Sequence, residues 1–269
     1  MSGALVSDGL WERVAPLLPA RAPHRHRYPG RLPADDRAAL CGIVYVLRKS
    51  VSWRDVPAEL VGCSGVTAWR RLRDWTEAGV WPRLHDVLLA ELRRDGLLKM
   101  DDAAIDASHA RALKGGSHTG PSPVDRARPG SKHHLILDRN GTPLAVSLTS
   151  KNRHDVTQLM PLLDAMPRVR GLRGRPRHRP RRLFADRGYD FDKDRRLIRA
   201  RGITPKIARR GAPHGSGLGR TRWVVERTFA WLHQFKRLRI RYEIRADLHP
   251  GLLQLACSII CLRRLKNSF

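Results

Sequence analysis

Acidic residues are scarce in this chain of 269 residues: 25 Asp and Glu stand against 52 Lys and Arg, a formal charge of +27. An excess that large goes beyond solubility and implies a polyanionic partner. Long hydrophobic runs are also missing. Nothing approaches the ~18 consecutive apolar residues of a membrane span. Residues Met1 to Leu18 lack the basic start and apolar stretch of a secretion signal, so the cytoplasm is the expected compartment. Basic residues recur along the whole chain instead of beside one amphipathic segment, which favours nucleic acid over a lipid surface. Cysteine is limited to Cys41, Cys63, Cys257 and Cys261. With no CxxC pair and no His at ligand spacing, these read as reduced, buried thiols, not as a disulfide framework or a zinc site. No internal repeat or low-complexity tract is visible. Apolar residues, at 41%, suffice for one sizeable core with a smaller unit attached.

The first third of the chain reads as helical. Leu10, Val14, Leu17 and Leu18 recur at helical spacing and lead into a basic, Pro-rich connector from Pro19 to Pro33. Leu40, Ile43, Val44 and Leu47 form a second stripe. After the turn from Trp53 to Pro57, Ser64 is a candidate N-cap for a helix with Trp69, Leu72 and Trp75 on its inner face and Gly79 beyond its end. From about residue 100 the pattern changes to short apolar runs: Ala103 to Ser108, His133 to Asp138, and Leu144 to Thr149. The last two flank Asn140-Gly141, a hairpin signal. A helix around Val156 to Leu163, a strand Leu183 to Ala185, a helix Asp192 to Ala200 and a strand Ile203 to Ile207 follow. The very basic stretch Arg168 to Arg182 and the Gly-rich stretch Gly211 to Gly219 read as loops. Helices from Thr221 to about Leu238 and from Leu252 to Leu265 finish the chain. That order of elements is the ribonuclease H (RNase H) order, an α/β fold with a mixed sheet flanked by helices.

Three carboxylates stand apart from solvated charge runs. Asp106 lies within the small apolar strand Ala103-Ala104-Ile105-Asp106-Ala107, Asp186 ends a strand, and Glu226 follows Val224-Val225 on an amphipathic helix. A carboxylate withdrawn from water needs a compensating cation. A divalent metal is one such partner, since Mg²⁺ takes a few carboxylates together with waters and phosphate oxygens. An arginine is another, and with so many arginines each acid taken singly also reads as a structural ion-pair partner.

The chain resembles the DDE transposases of the insertion-sequence-five family. The resemblance rests on Trp53-Arg54-Asp55-Val56-Pro57, Gly130-Ser131-Lys132-His133-His134, Asn152-Arg153-His154-Asp155, Ala185-Asp186-Arg187-Gly188-Tyr189, and Val225-Glu226-Arg227-Thr228-Phe229-Ala230-Trp231-Leu232, in order across most of the chain. It implies a helix-turn-helix-type DNA-binding domain over residues 1–98 and an RNase H-like catalytic domain over 99–269. It also implies Asp106, Asp186 and Glu226 as the catalytic, metal-binding triad, with Mg²⁺, or Mn²⁺ in its place, as cofactor. The implied partners are double-stranded DNA, as terminal inverted repeats and as target, and further copies of the chain in a homodimer or higher oligomer.

Related transposases carry a Tyr, Arg, Glu, Lys pattern on the last catalytic helix. Here Arg222 matches, Gly219 stands at the Tyr position and His233 at the Lys position. Arg222, Glu226 and His233 share one helix face, a basic strip for phosphate. Lys132 is a further phosphate-contact candidate, and its alternative is an exposed strand start. Arg70, Arg71 and Arg73 are candidates for reading the inverted repeat, and their alternative is a solvated helix face. Asp155 reads as the N-cap of the helix that follows it, and Trp223 and Trp231 as core or interface residues. Two other functions stay open: an RNase H-like, metal-dependent nuclease without strand transfer, and a DNA-binding remnant without catalysis.

Overall fold

The computed structural model describes residues 5–20, 33–211 and 219–266, with the side chains of 219–222 excepted. Most of the expected Pro-rich connector and the Gly-rich loop after Gly211 therefore lie outside the described residues. Helix α1 (Asp8–Val14) buries Leu10 and Val14. Helix α2 (Asp36–Lys49) begins where the Asp35 carboxylate accepts the Ala38 N–H, and it buries Leu40, Ile43, Val44 and Leu47. After the short helix α3 (Ala58–Val61), α4 (Gly65–Glu77) opens on the Ser64 hydroxyl, which accepts the Thr67 N–H at 3.2 Å. Gly65 is required there, because a Cβ would lie 1.7 Å from the Trp53 carbonyl oxygen. The Trp53 turn and the start of α4 are thus locked together. A further helix, α5 (Val80–Arg94), was not anticipated from the sequence, although it buries Trp81, Leu84, Leu88 and Leu92 at helical spacing.

The sheet contains β1 (Asp102–Ala112), β2 (Gly120–Pro121), β3 (Pro129–Asp138), β4 (Pro143–Ser150), β5 (Arg182–Ala185), β6 (Thr204–Ile207) and β7 (Ile240–Arg241). Its main order is β4-β3-β1-β5-β6, with β3 antiparallel to β1 and β4, and β5 parallel to β1 and β6. This is the RNase H order that the sequence leads one to expect. The two-residue strand β2 extends the edge at the start of β3, and β7 pairs with the far end of β1. The β3–β4 turn is held by Asp138. One of its carboxylate oxygens accepts the N–H groups of Asn140 and Thr142, and the other accepts that of Lys99. Gly141 supplies the positive φ of +80°.

Helix α6 (Leu159–Ala165) packs on β3 and β4, α7 (Asp192–Ala200) on β6, and α8 (Gly219–His233) on β1 and β5. The short helix α9 (Lys236–Arg239) leads into β7. Helix α10 (Leu248–Lys266) is buried almost all round, with Leu252, Leu253, Leu255, Cys257, Ile259 and Cys261 inside. The reason is its position, since it packs against β4 on one side and α4 and α5 on another. Gly251 permits that approach, because a Cβ there would meet the Thr76 hydroxyl at 2.7 Å. His85 on α5 adds a buried contact to the Pro143 carbonyl at 2.9 Å. The N-terminal helices and the sheet therefore share one continuous hydrophobic core across residue 98. All four cysteines are free and buried, and among the described residues no helix is long and apolar enough to cross a membrane.

Candidate active site

The register of β1 and β5 organises the site. Asp102 pairs with Arg182, Ala103 with Leu183, and Ala104 with Phe184. Carried two residues further, that register sets Asp106, within β1, against Asp186, the residue just past the end of β5. Both are half-buried. One oxygen of Asp106 accepts the Ala107 N–H at 2.8 Å, and one oxygen of Asp186 accepts the Gly188 N–H at 2.8 Å. Gly188 allows that second contact, since a Cβ would sit 2.9 Å from the same carboxylate oxygen.

Glu226 rides on α8, the helix that packs across both strands. Its neighbours Val224, Val225, Thr228, Phe229 and Leu232 are buried, whereas Glu226 itself is exposed. Among the described residues, no three His, Cys, Asp or Glu side chains are grouped closely enough to hold a metal ion. The two aspartates offer hard oxygen donors of the kind Mg²⁺ and Mn²⁺ take, but the third acid is not gathered with them. Arg222 belongs to α8, and its side chain lies outside the described residues. His233, the last residue of α8, is half-buried near Phe229. Burial, and then the charge of Arg239, hold its pKa below the usual imidazole value.

Lys132 is neither an exposed strand start nor a neighbour of Asp106. It is 7% exposed and donates to the Arg153 carbonyl and the Asp155 carboxylate, both at 2.8 Å. In the β1–β3 register Lys132 faces His109, three residues from Asp106, and that odd separation projects it from the opposite face of the sheet. Asp155 does not cap a helix: His154 takes the cap position of the turn Asp155–Gln158, and the Asp155 side chain is held by Lys132. His134 belongs to the same cluster, 2.7 Å from the Thr149 hydroxyl, and burial lowers its pKa to about 4.

On α4, Arg70 is exposed, while Arg71 pairs with Asp36 and Arg73 with Asp74. Trp223 is not a core residue. It is 49% exposed, and the Arg227 guanidinium lies between it and Trp231, at 4.2 and 4.7 Å from the two rings.

A buried polar chain went unnoticed in the sequence. His133 contacts His249 at 2.8 Å, His249 contacts Glu243 at 3.1 Å, and Arg237 donates to Glu243 at 2.8 Å. Burial alone would raise the Glu243 carboxyl, but His249 and Arg237 outweigh it and hold the pKa at about 2. No local signal announces such a chain, because its members lie on β3, α9 and α10 and in the segment after β7.

Comparison with known proteins adds a family context. Residues 98–261 match the family described as "Transposase DDE domain", and residues 6–85 match "Putative transposase of IS4/5 family". The chain is 62% identical over 150 residues, 56% of its own length and 71% of the relative's, to the putative transposase for insertion sequence element IS402 of Burkholderia cepacia. It is 51% identical over 124 residues, 46% of its length and 84% of the relative's, to an uncharacterised 16.2 kDa protein of the same element. The catalytic core domain of BIV integrase overlays 63% of this chain and 98% of its own at 15% identity with a TM-score of 0.33, which adds nothing to the topology.

Proposed function

We propose, from the membership of this chain in the transposase DDE-domain family, that it binds the terminal inverted repeats of an insertion sequence, cuts DNA there and joins the freed 3′ end to target DNA. The observation that carries this reading is the β1–β5 register, which, carried two residues on, sets Asp106 against Asp186 and brings two hard carboxylate donors to one place. Asp106, Asp186 and Glu226 are assigned as the catalytic, metal-binding acids, with Mg²⁺ as the ion and Mn²⁺ in its place. When bound, a divalent ion activates the attacking oxygen and neutralises charge at the scissile phosphate. The protein supplies position. The Ala107 and Gly188 N–H groups orient the two aspartates, and α8 carries Glu226 across both strands to complete the set once DNA is in place. Arg222 beside Glu226 holds a phosphate oxygen, and the charge of +27 draws in the duplex.

Residues 1–98 are assigned to end recognition and 99–269 to chemistry, in an assembly of two or more copies that acts in the cytoplasm. Arg70, exposed on α4, is the leading base-reading candidate, while Arg71 and Arg73 are oriented by their aspartates for phosphate contact. The test is a cutting and joining assay with the full chain, Mg²⁺ and duplexes copied from the DNA flanking its gene. Asp106→Asn, Asp186→Asn and Glu226→Gln should each abolish both steps while end binding persists. Near-wild-type cutting by any one removes that residue from the set, and cutting without joining makes the protein a nuclease. Binding should also fall by ~10³-fold or more between about 50 and 200 mM salt if six or more phosphates are contacted.

A further inference from the structure

The Trp53 turn belongs to no catalytic element, yet it forms a wall of a cavity of about 500 Å³. Trp53 and Trp69 contribute from the N-terminal helices and Tyr242 from the segment after β7, while Ser50, Lys114 and Arg245 add polar and cationic groups. The walls are fixed. Gly65 locks the Trp53 turn to α4, and Arg241, buried, donates to the Glu243 carbonyl and the Ser131 hydroxyl, which pins the segment carrying Tyr242. A Cβ on Gly116 would meet the Ile244 carbonyl oxygen at 2.3 Å, so the segment bearing Lys114 is packed against the rim. Arg237 lies 4.5 Å from the Tyr242 ring centre and donates to the Val51 carbonyl, closing the floor.

Three features select the occupant. The volume suits a group of ligand size, about 300–1,000 Å³. The rings offer flat apolar surface of the kind on which bases stack. Lys114, exposed at the rim, favours a guest carrying phosphate, whereas Arg237 is paired with Glu243 and Arg245 with Glu77 and Asp247. Strand β7 pairs with Arg111 and Ala112, six residues beyond Asp106 at the end of β1, about 20 Å along the strand.

We propose that this cavity receives one unstacked nucleotide of the DNA substrate, its base against Trp53, Trp69 and Tyr242 and its phosphate beside Lys114. The assignment rests on the DNA-processing reading above, but not on the acidic site. Each stacked base is worth enough that losing a ring should weaken single-strand binding by ~5-fold or more.

The test measures anisotropy of the full chain with a labelled oligothymidylate of roughly 12 nucleotides, within the span of a single-strand site, against a mixed-sequence duplex of equal length. Tyr242→Leu and Trp53→Leu should weaken oligothymidylate binding by that factor and leave duplex binding within about twofold. Tyr242→Phe should bind as the parent does, and Lys114→Gln should lower the salt dependence of oligothymidylate binding by about one contact. Oligothymidylate should also quench tryptophan emission in the parent and less so in Trp69→Phe. Equal loss on both DNAs, or no loss on either, overturns the proposal. Should Trp53→Leu fail to fold, Tyr242→Leu against Tyr242→Phe decides alone. Because Asp106→Asn leaves the cavity intact, a protein that passes this test without cutting DNA refutes only the catalytic assignment, and one that cuts but fails it refutes only the cavity.

Discussion

The same two strands carry different electrostatics where they begin and four residues further on. Where β1 and β5 begin, Asp102 is opposite Arg182, which donates to both its oxygens at 2.5 and 2.7 Å. Asp102 is 3% exposed, and Arg139 adds a second cation at 3.4 Å. Four residues later an acid stands opposite an acid, and both are half-buried. The first end is neutralised by the chain itself and reads as structural. The second sets two acids against each other, each oriented by a backbone N–H, and offers hard oxygen donors of the kind a divalent cation takes.

The largest expected effect is the loss of cutting at the acidic end. Asp106→Asn or Asp186→Asn should lower metal-dependent cleavage by about 10³-fold or more. Asp186→Lys sharpens the contrast: it places a cation opposite Asp106, as where the strands begin, and should abolish activity. Gly188→Ala should reduce cleavage by about tenfold through displacement of the Asp186 carboxylate, which a structure of the variant would display.

The reverse pattern is expected at the paired end. Asp102→Asn should lower the melting temperature and leave Mg²⁺-dependent cleavage by the folded protein largely intact. If it lost cleavage at unchanged stability, the division between the two ends would be wrong.

Acid stability provides a smaller effect. Burial lowers the pKa of His85 and of His134 to about 4, below the ~6.5 of an unfolded chain. Between those values the unfolded state binds more protons, so the stability these residues contribute is complete above about pH 6.5 and is lost as pH falls towards 4. Thermal melts across that range should show the decline, and His85→Gln should flatten part of it. A melting temperature independent of pH there would contradict the neutral, buried assignment.

The smallest effect concerns His233. With its pKa below the usual value it is neutral at pH 8 and offers phosphate no charge. His233→Lys should therefore raise joining at pH 8 by a few-fold, and His233→Ala should lower it slightly without changing metal dependence. Superimposable joining profiles for the three proteins from pH 6 to 9 would remove His233 from the phosphate strip.

Local pattern was enough for the element order, the Ser64 cap, the Asn140-Gly141 turn and the reduced, buried cysteines, because each depends on neighbours in the chain. The stripe of Trp81, Leu84, Leu88 and Leu92 was equally local, and α5 was legible there though not read. Composition alone pointed to nucleic acid, since net charge needs no fold. The three acids were recognisable as types in suggestive places. Their arrangement was not: that Asp106 and Asp186 align while Glu226 remains exposed depends on strand register and helix packing. Lys132 shows the limit most clearly. Its place in a motif suggested phosphate, but an odd offset of three residues in β3 from the partner of Asp106 puts it on the other face, buried against Asp155. The burial of α10 on nearly all sides, the His133–His249–Glu243–Arg237 chain and the Trp53–Trp69–Tyr242 cavity join residues far apart in sequence. Only tertiary structure decides such contacts, because packing the N-terminal helices against α10 brings them together and no local preference encodes which distant side chains will meet.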